Sequence, residues 1–153
     1  DLKTSPMRSI VDAGEEITRA ASRAVAIDHP DEPDLAFLYG TILTDGGDGA
    51  NGRPSRNICV FAGRQVDRSP TGSGVTARMA LMRTKHQAHF GEERLFESCT
   101  GAQFSGRLLR DAPAVGPRKA SIVEVGGRAY VTGESRFRFD ADDPLREGFS
   151  LTG

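Results

Sequence analysis

The chain has 153 residues, 20 basic against 21 acidic side chains and a net charge of −1. This length fits one domain with an ordinary core and leaves no room for two full domains. Because its charges balance, the composition argues against a nucleic-acid-binding protein, whose surface would show a clustered basic excess.

The first predicted element is a helix over residues 5–27, where apolar side chains recur at helical spacing between charged ones. Ser5 is the expected N-cap, with Pro6 at the first helical position. Prolines disfavour the helical conformation at the residue before them, so the segment 29–33 (HPDEP) is expected to end the helix.

Short β-rich runs dominate the rest of the chain. Strands are predicted at 36–44, 57–62, 95–99, 103–109, 121–125, 128–132 and 136–139. The segment 123–131 predicts a β-hairpin with Gly126 and Gly127 as its two-residue turn. Residues 75–83 carry apolar side chains all round, which is typical of a buried helix. These features predict an α+β fold with antiparallel strands around a central helix.

Residues 45–54 (DGGDGANGRP) predict a solvated turn region between two strands. A calcium loop needs oxygen ligands at alternating positions, but Gly47 and Gly49 occupy those positions after Asp45. The glycines therefore favour a flexible hairpin loop over a cation site.

The remaining counts predict a protein without metal or cofactor. Cys59 and Cys99 lack CxxC spacing and are interpreted as structural thiols, and His86 and His89 have no third ligand near them. No apolar run approaches ~18 residues and no signal peptide is visible, so we expect no membrane partner and a reducing, cytoplasmic location. Since Asp1 is not an initiator methionine, we expect the chain to be processed, engineered or part of a longer protein.

One segment, residues 67–78 (DRSPTGSGVTAR), combines a carboxylate and a hydroxyl with a glycine-rich helix start. The free N–H groups of Gly72, Ser73 and Gly74 point out of the positive end of the predicted helix, which suits a carboxylate or phosphate. Asp67 is placed to bind a cation such as an amine. An anion site beside a carboxylate suits a zwitterion, that is, an amino acid.

Local alternatives stay open for these residues. Thr71 could serve only as a helix N-cap, and Asp67 could pair with Arg68 or cap a turn. A Walker phosphate loop is excluded, because it needs Gly-Lys-Ser/Thr and Gly74 is followed by Val75.

The run 67–82 (DRSPTGSGVTARMALM) resembles the C-terminal catalytic motif of the proline racemase family, which also includes hydroxyproline epimerases and hydroxyproline dehydratases. Further similar segments follow the family's second half in order, so the resemblance covers nearly the whole chain. They are Pro30, Tyr39-Gly40, 96–98, 100–101, Phe104, Gly106, 129–133, 143–145 and 148–149.

The resemblance implies a fold like that of diaminopimelate epimerase, with two lobes, each a curled sheet around a central helix, and the active site between them. Residues 1–28 would be a linking helix and residues 29–153 the C-terminal catalytic lobe. The last strand, about 136–153, would pack on an N-terminal lobe that this chain lacks.

The resemblance also implies roles for single residues. Thr71 occupies this lobe's catalytic position, and the N–H groups of Gly72 and Ser73 match those that hold the substrate carboxylate. Asp67 matches the acid that holds the ring nitrogen, and Phe61 falls where the family lines its pocket.

One departure from the family pattern bears on the reaction. Racemases and epimerases of the family have Cys where Thr71 stands, and a Thr hydroxyl without an adjacent base is a poor proton acceptor near neutral pH. Members with Thr resemble trans-3-hydroxy-L-proline dehydratases, which need one base, a Cys of the N-terminal lobe. The resemblance implies a proline-like imino acid as substrate and leaves homodimerisation open. The alternatives are a proline racemase or 4-hydroxyproline epimerase, and a non-catalytic amino-acid-binding lobe or bare structural fragment.

Overall fold

The computed structural model describes residues 1–150 as two α-helices and a six-stranded, curled sheet. The elements are α1 Met7–Ala24, β1 Gly40–Thr44, β2 Ser55–Phe61, β3 Gln65–Val66, α2 Gly72–Thr84, β4 Glu93–Glu97, β5 Gln103–Val115 and β6 Arg118–Gly127. A short 3-10 turn, Pro33–Leu35, precedes β1. The strand order is β1-β2-β4-β5-β6, and β3 pairs with the end of β2. Only the β2–β4 pair of this sheet is parallel, which confirms the α+β, mostly antiparallel prediction.

The core forms where the sheet packs on α2. Its buried apolar cluster consists of Val75, Met79, Met82, Ala88, Phe96 and Leu108. Gly106 of β5 lets the helix approach, because a Cβ there would lie 2.8 Å from Val75 Cγ1 and 2.9 Å from Met79 Cγ. The predicted helix 75–83 lies within α2, but the prediction that it is buried all round is wrong, because Thr76 and Ala77 are exposed and Leu81 is 52 % exposed.

Helix α1 packs on β1 and β2 through a narrow face. Gly14 lies so close to Val60 of β2 that a Cβ would come within 2.8 Å of that side chain. The hydroxyls of Thr18 and Thr41 share a hydrogen bond of 2.7 Å between helix and sheet. The expected N-cap at Ser5 is wrong, because Pro6 occupies that position with an extended ψ of 138°.

The loop between β1 and β2 is held against the sheet. Gly49 is buried with a φ of 72°, and its carbonyl accepts a hydrogen bond from the Leu95 N–H at 2.8 Å. A Cβ at Gly49 would meet the Leu95 backbone at 2.4 Å, so the glycine permits this contact. The prediction of a solvated loop is correct for most of the segment and wrong at this residue.

The predicted hairpin at residues 123–131 is wrong. Strand β6 continues through Gly126 and Gly127, which pair with Ser105 and Phe104 of β5. A Cβ at Gly127 would lie 2.5 Å from the Phe104 ring, so this glycine makes room for an aromatic ring instead of a turn. The actual turn follows Val115, which pairs with Arg118.

Residues 128–150 form no helix or strand, so the strands predicted at 128–132 and 136–139 are not observed. The apolar side chains of this segment are exposed, Val131 by 92 % and Phe137 by 78 %. The part of the predicted last strand at 151–153 lies outside the described residues. Neither helix of residues 1–150 is long and apolar enough to cross a membrane.

Candidate active site

Four of the five residues singled out from the sequence, Asp67, Thr71, Gly72 and Ser73, lie at the turn between β3 and α2, whereas Phe61 lies at the end of β2. Asp67 follows Val66 at the end of β3, and Thr71 stands immediately before the first residue of α2. The end of the turn is buried, since Pro70 is fully buried and Thr71 is only 9 % exposed.

Thr71 has an unusual backbone conformation. Its φ of 67° and ψ of 107° lie where a β-branched residue is disfavoured, at a cost of about 1–3 kcal/mol. The Thr71 N–H donates to Ser69 Oγ at 3.1 Å, and the Thr71 carbonyl accepts the first helical bond from the Val75 N–H at 2.8 Å. A conformation this costly requires support from its surroundings.

The Thr71 hydroxyl donates to Asp67 Oδ2 at 2.8 Å. Thr71 is the N-cap residue of α2, as the local alternative proposed, but its side chain makes no helix-capping hydrogen bond. Because the hydroxyl proton points at Asp67, the Thr71 oxygen presents its lone pairs to the remaining surroundings.

The carboxylate of Asp67 is oriented within the turn. Its Oδ1 accepts from the Ser69 N–H at 2.8 Å, so Asp67 caps the turn as one alternative proposed. Burial raises the pKa of Asp67, but the hydrogen bonds from the Ser69 N–H and the Thr71 hydroxyl outweigh it and leave the pKa below its usual value. Asp67 is therefore ionised at neutral pH. Residues 1–150 contain no ion pair between Asp67 and Arg68, although the Arg68 charge lowers the same pKa.

The start of α2 is open on one side and packed on the other. A Cβ added to Gly72 would meet no atom within 4 Å, and Ser73 is exposed. The Gly72 and Ser73 N–H groups have no acceptor within the helix, as at every helix N-terminus. Gly74 faces inward, where a Cβ would clash with the end of the Ile42 side chain. The helix start therefore presents two N–H groups at an accessible surface.

Two cysteines lie close to Asp67 and Thr71. Cys59 of β2 is buried, and burial raises its pKa, with the Thr71 hydroxyl opposing and the Asp67 charge adding to the rise. The Cys99 thiol lies 3.8 Å from the Asp67 carbonyl oxygen. Both thiols are free. A raised pKa keeps the Cys59 thiol protonated at neutral pH, which suits a structural role and not that of a base.

Phe61 lies two residues beyond Cys59 on the same face of β2. It is half-buried and stacks on Tyr39, with ring centroids 5.2 Å apart and planes 20° apart. Tyr39 is an aromatic neighbour that the sequence did not single out for the site. Its signal was the Tyr39-Gly40 pair, because Gly40 sits directly against Phe61.

Three polar side chains missed by sequence reasoning support the turn from outside. Ser98 Oγ and Thr100 Oγ1 each donate to the Arg68 carbonyl at 2.7 Å. Asn57 of β2 donates from its side-chain amide to the Pro70 carbonyl. The available signal was Asn57 itself, the polar first residue of the predicted apolar strand 57–62.

The described residues form a cavity beside this turn but no group of metal ligands. A cavity of about 720 Å³ lies between α2 and the first hairpin, lined among others by Ile42, Gly74 and Arg78, and it does not include Asp67 or Thr71. Within residues 1–150, no group of three or more His, Cys, Asp or Glu side chains could hold a metal ion. The Asp67–Thr71 pair thus lies outside this cavity, with Thr71 buried and Asp67 half-buried beside the open start of α2.

Comparison with known proteins places the chain in a family context. The sequence profile of the proline racemase family matches residues 1–150. Trans-3-hydroxy-L-proline dehydratase from Homo sapiens is 51 % identical over 152 residues, which cover 99 % of this chain and 43 % of the human protein. The chain therefore spans less than half the length of this relative.

Two solved structures share the fold. A probable proline racemase from Agrobacterium radiobacter, with bound carbonate, superposes with a TM-score of 0.79 at 26 % identity, covering 94 % of this chain and 41 % of that one. A hydroxyproline epimerase from Agrobacterium vitis, with bound trans-4-hydroxy-L-proline, also gives 0.79, at 28 % identity, covering 94 % and 40 %. The curled sheet around α2 is thus an architecture that these proteins share.

Proposed function

The chain belongs to the proline racemase family, and from this premise we propose that it is the C-terminal catalytic lobe of a cofactor-independent trans-3-hydroxy-L-proline dehydratase. The observation that carries the proposal is Thr71 at the head of α2, its hydroxyl bonded to Asp67, in a chain 51 % identical to the human dehydratase. A threonine there supplies no thiol for a second proton transfer.

The substrate carboxylate binds the N–H groups of Gly72 and Ser73, where the helix dipole is positive and the surface is open. The ionised Asp67 holds the ring nitrogen with the lone pairs that Ser69 and Thr71 leave free. Phe61 packs against the apolar edge of the five-membered ring of the substrate. A zwitterionic imino acid thus meets a complementary group at each end.

The reaction begins with removal of the α-proton by a thiolate of the N-terminal lobe. The C–H electron pair becomes a carbanion delocalised into the carboxylate, and the N–H groups of Gly72 and Ser73 stabilise this charge. The electron pair then forms the double bond between the α-carbon and C3 as the C3–O bond breaks, and the departing hydroxyl takes up the proton held by the thiol and leaves as water. The resulting enamine tautomerises to Δ1-pyrroline-2-carboxylate.

Thr71 does not act as a second base in this scheme. Its proton already points at Asp67, and a carboxylate whose pKa is lowered is a weak acceptor for it. Without a group on the opposite face that can deliver a proton, the carbanion is not reprotonated with inversion. Thr71 instead offers an oxygen lone pair that accepts a hydrogen bond from the substrate.

A second lobe completes the site in this proposal. The start of α2 is open at Gly72 and Ser73, and the segment 128–150 exposes apolar side chains that no element of residues 1–150 covers. We propose that residues 1–28 link the lobes and that residues 29–153 form the C-terminal lobe, with the last strand, about 136–153, packed on the N-terminal lobe. A second copy of the chain is the alternative partner for this surface.

We also propose a cytoplasmic location. Both cysteines are free thiols, and free thiols persist in reducing compartments. Fluorescence microscopy of the tagged full-length protein checks this proposal.

The dehydratase assay uses the full-length protein with trans-3-hydroxy-L-proline in deuterated water. We expect Δ1-pyrroline-2-carboxylate as product and no deuterium in an inverted substrate. Deuterium at the α-carbon with inversion, on proline or 4-hydroxyproline, would support the racemase or epimerase that the two structural neighbours represent. Absence of any reaction would sink both enzyme proposals.

The chain by itself is tested by calorimetry with pyrrole-2-carboxylate, a planar analogue of the carbanion. We expect weak binding and no turnover, because only one lobe contacts the ligand. If the full-length protein binds pyrrole-2-carboxylate but turns over no substrate, the protein is an amino-acid-binding protein. If neither the chain by itself nor the full-length protein binds this analogue, the chain has a structural role.

A further inference from the structure

A buried amide beside the Thr71 site has no role in the proposed chemistry. Asn57 is completely buried in β2, and its Nδ2 donates to the carbonyl of Pro70, the residue before Thr71. A buried amide without a partner costs free energy, so its orientation is determined by the groups around it. The contact links the sheet directly to the peptide bond that enters Thr71.

The Asn57 contact differs from the other two hydrogen bonds that support Thr71. The bonds to Ser69 and Asp67 both lie within the turn, two and four residues away. They can therefore move together with the turn. The bond from Asn57 spans 13 residues and joins the turn to the sheet directly before Thr71, whereas the bonds from Ser98 and Thr100 hold the turn further away, at Arg68.

Arg78 of α2 orients the Asn57 amide. Its Nη1 lies 3.4 Å from Asn57 Oδ1, and the same nitrogen donates to Ser55 Oγ at 3.0 Å. The guanidinium stacks over the Phe96 ring at 4.9 Å. A donor at Oδ1 places the Asn57 oxygen toward Arg78, which leaves the Nδ2 group facing the Pro70 carbonyl.

We propose that Asn57 is a positioning residue for the Thr71 site. Its amide holds the Pro70 carbonyl, and this keeps Thr71 at a φ of 67°, where its hydroxyl meets Asp67 and the N–H groups of Gly72 and Ser73 face the open surface. Without the amide, Thr71 relaxes to a negative φ and its backbone strain is released. As a statement about ligand binding, this inference rests on the proposed function.

The test compares Asn57→Asp with the unmodified chain by NMR. The aspartate keeps the shape and lies beside Arg78, but it replaces the donor to Pro70 with an acceptor. A positive φ gives Thr71 a strong NOE between its own amide and α protons. We expect this NOE to weaken in the variant, and the affinity for pyrrole-2-carboxylate, titrated in the same samples, to fall on the order of tenfold to a hundredfold.

Ser55→Ala is the matched control, because Ser55 lies in the same strand, is 1 % exposed and contacts Arg78 but not Pro70. It should keep both the Thr71 NOE and the affinity. Asn57→Ala provides a second test without a buried charge, and the same loss is expected. An unchanged Thr71 NOE in either folded Asn57 variant would overturn the inference. If the unmodified chain and the full-length protein both bind no pyrrole-2-carboxylate, the proposed function fails, while the NOE still decides the role of Asn57.

Discussion

At the scale of single residues, the site depends on how Thr71 is held. The residue adopts a left-handed φ at the entrance of α2, and its hydroxyl donates to an ionised Asp67. A hydroxyl used in this way presents an acceptor to a ligand and gives up its role as a donor. The chemistry of the turn is thus decided by one hydrogen bond as much as by residue type.

Asp67→Asn should make the stability of the chain less dependent on pH. Hydrogen bonds lower the pKa of Asp67 against the opposing effect of burial. A lowered carboxyl pKa contributes stability above the unfolded value of about 3.9 and loses it as the pH falls through the folded value. We expect the variant to lose roughly 1 kcal/mol at pH 7 and less below about pH 3.

Urea denaturation at both pH values measures this difference. Asp31→Asn is the control, because Asp31 is exposed in the segment before β1. An equal loss for Asp67→Asn at both pH values would contradict the ionic role assigned to Asp67.

Thr71→Cys in the full-length protein should introduce exchange at the α-carbon. A thiol has an ordinary pKa near ~8.5 and is lowered further at a helix N-terminus, so it can deliver a proton where the hydroxyl cannot. We expect deuterium from solvent to enter the inverted epimer, measured by NMR of recovered substrate. Thr71→Ser keeps a hydroxyl and should show no such exchange. If Thr71→Cys gives only the dehydration product, the one-base account is wrong.

At the scale of secondary structure, α2 is positioned by close approach to β5. Gly106 stands opposite the buried face of the helix, and Val75 and Met79 fill the space that a Cβ would take. The first turn of α2 therefore carries the site while its middle carries the core. A change in this packing shifts the helix start relative to Asp67.

Gly106→Ala should destabilise the chain by about 1–3 kcal/mol, because an added methyl overpacks a core without space. Gly72→Ala places a methyl where no atom lies within 4 Å and should change stability by less than about 0.5 kcal/mol. Chemical denaturation of the two variants makes the comparison. Equal stabilities would show that the core adjusts around Gly106 more easily than its contacts indicate.

At the scale of the whole molecule, the chain has a folded body, residues 1–127, and a C-terminal segment, residues 128–150, without helix or strand. Residues 128–150 pair with no strand of the described chain, and Tyr130, Phe139 and Phe149 are each about 70 % exposed. Large apolar side chains exposed together in one segment are typical of an interaction site. This segment provides the apolar surface for the proposed second lobe.

Deleting residues 128–153 should leave the body intact. We expect the free energy of unfolding to change by less than about 0.5 kcal/mol, because the deleted side chains within the described range are exposed. Self-association, measured by sedimentation at several concentrations, should decrease. We propose that the segment packs on the N-terminal lobe, so the same deletion in the full-length protein should destabilise it by more than about 2 kcal/mol. A large loss in the short chain would instead show that the segment packs on its own body.

The motif DRSPTGSG alone indicated the family, the position of the site and the threonine that distinguishes the proposed reaction, because these depend on residues close together in the chain. Local periodicity likewise predicted α1, α2 and the mostly antiparallel sheet. The hairpin at Gly126-Gly127 was wrong, because a short sequence window does not distinguish a turn glycine from one that accommodates the Phe104 ring.

Only the tertiary structure decided how the site is supported. Asn57 reaches Pro70 across 13 residues, and Ser98 reaches Arg68 across 30, so neither contact leaves a signal at motif spacing. The Asp67–Thr71 bond spans only four residues of the motif, but it also needs the positive φ of Thr71, which the residue types do not show. The sequence by itself predicted which groups form the candidate site. The tertiary structure determined which hydrogen bonds these groups make and which group donates, because hydrogen-bond geometry depends on contacts between distant segments.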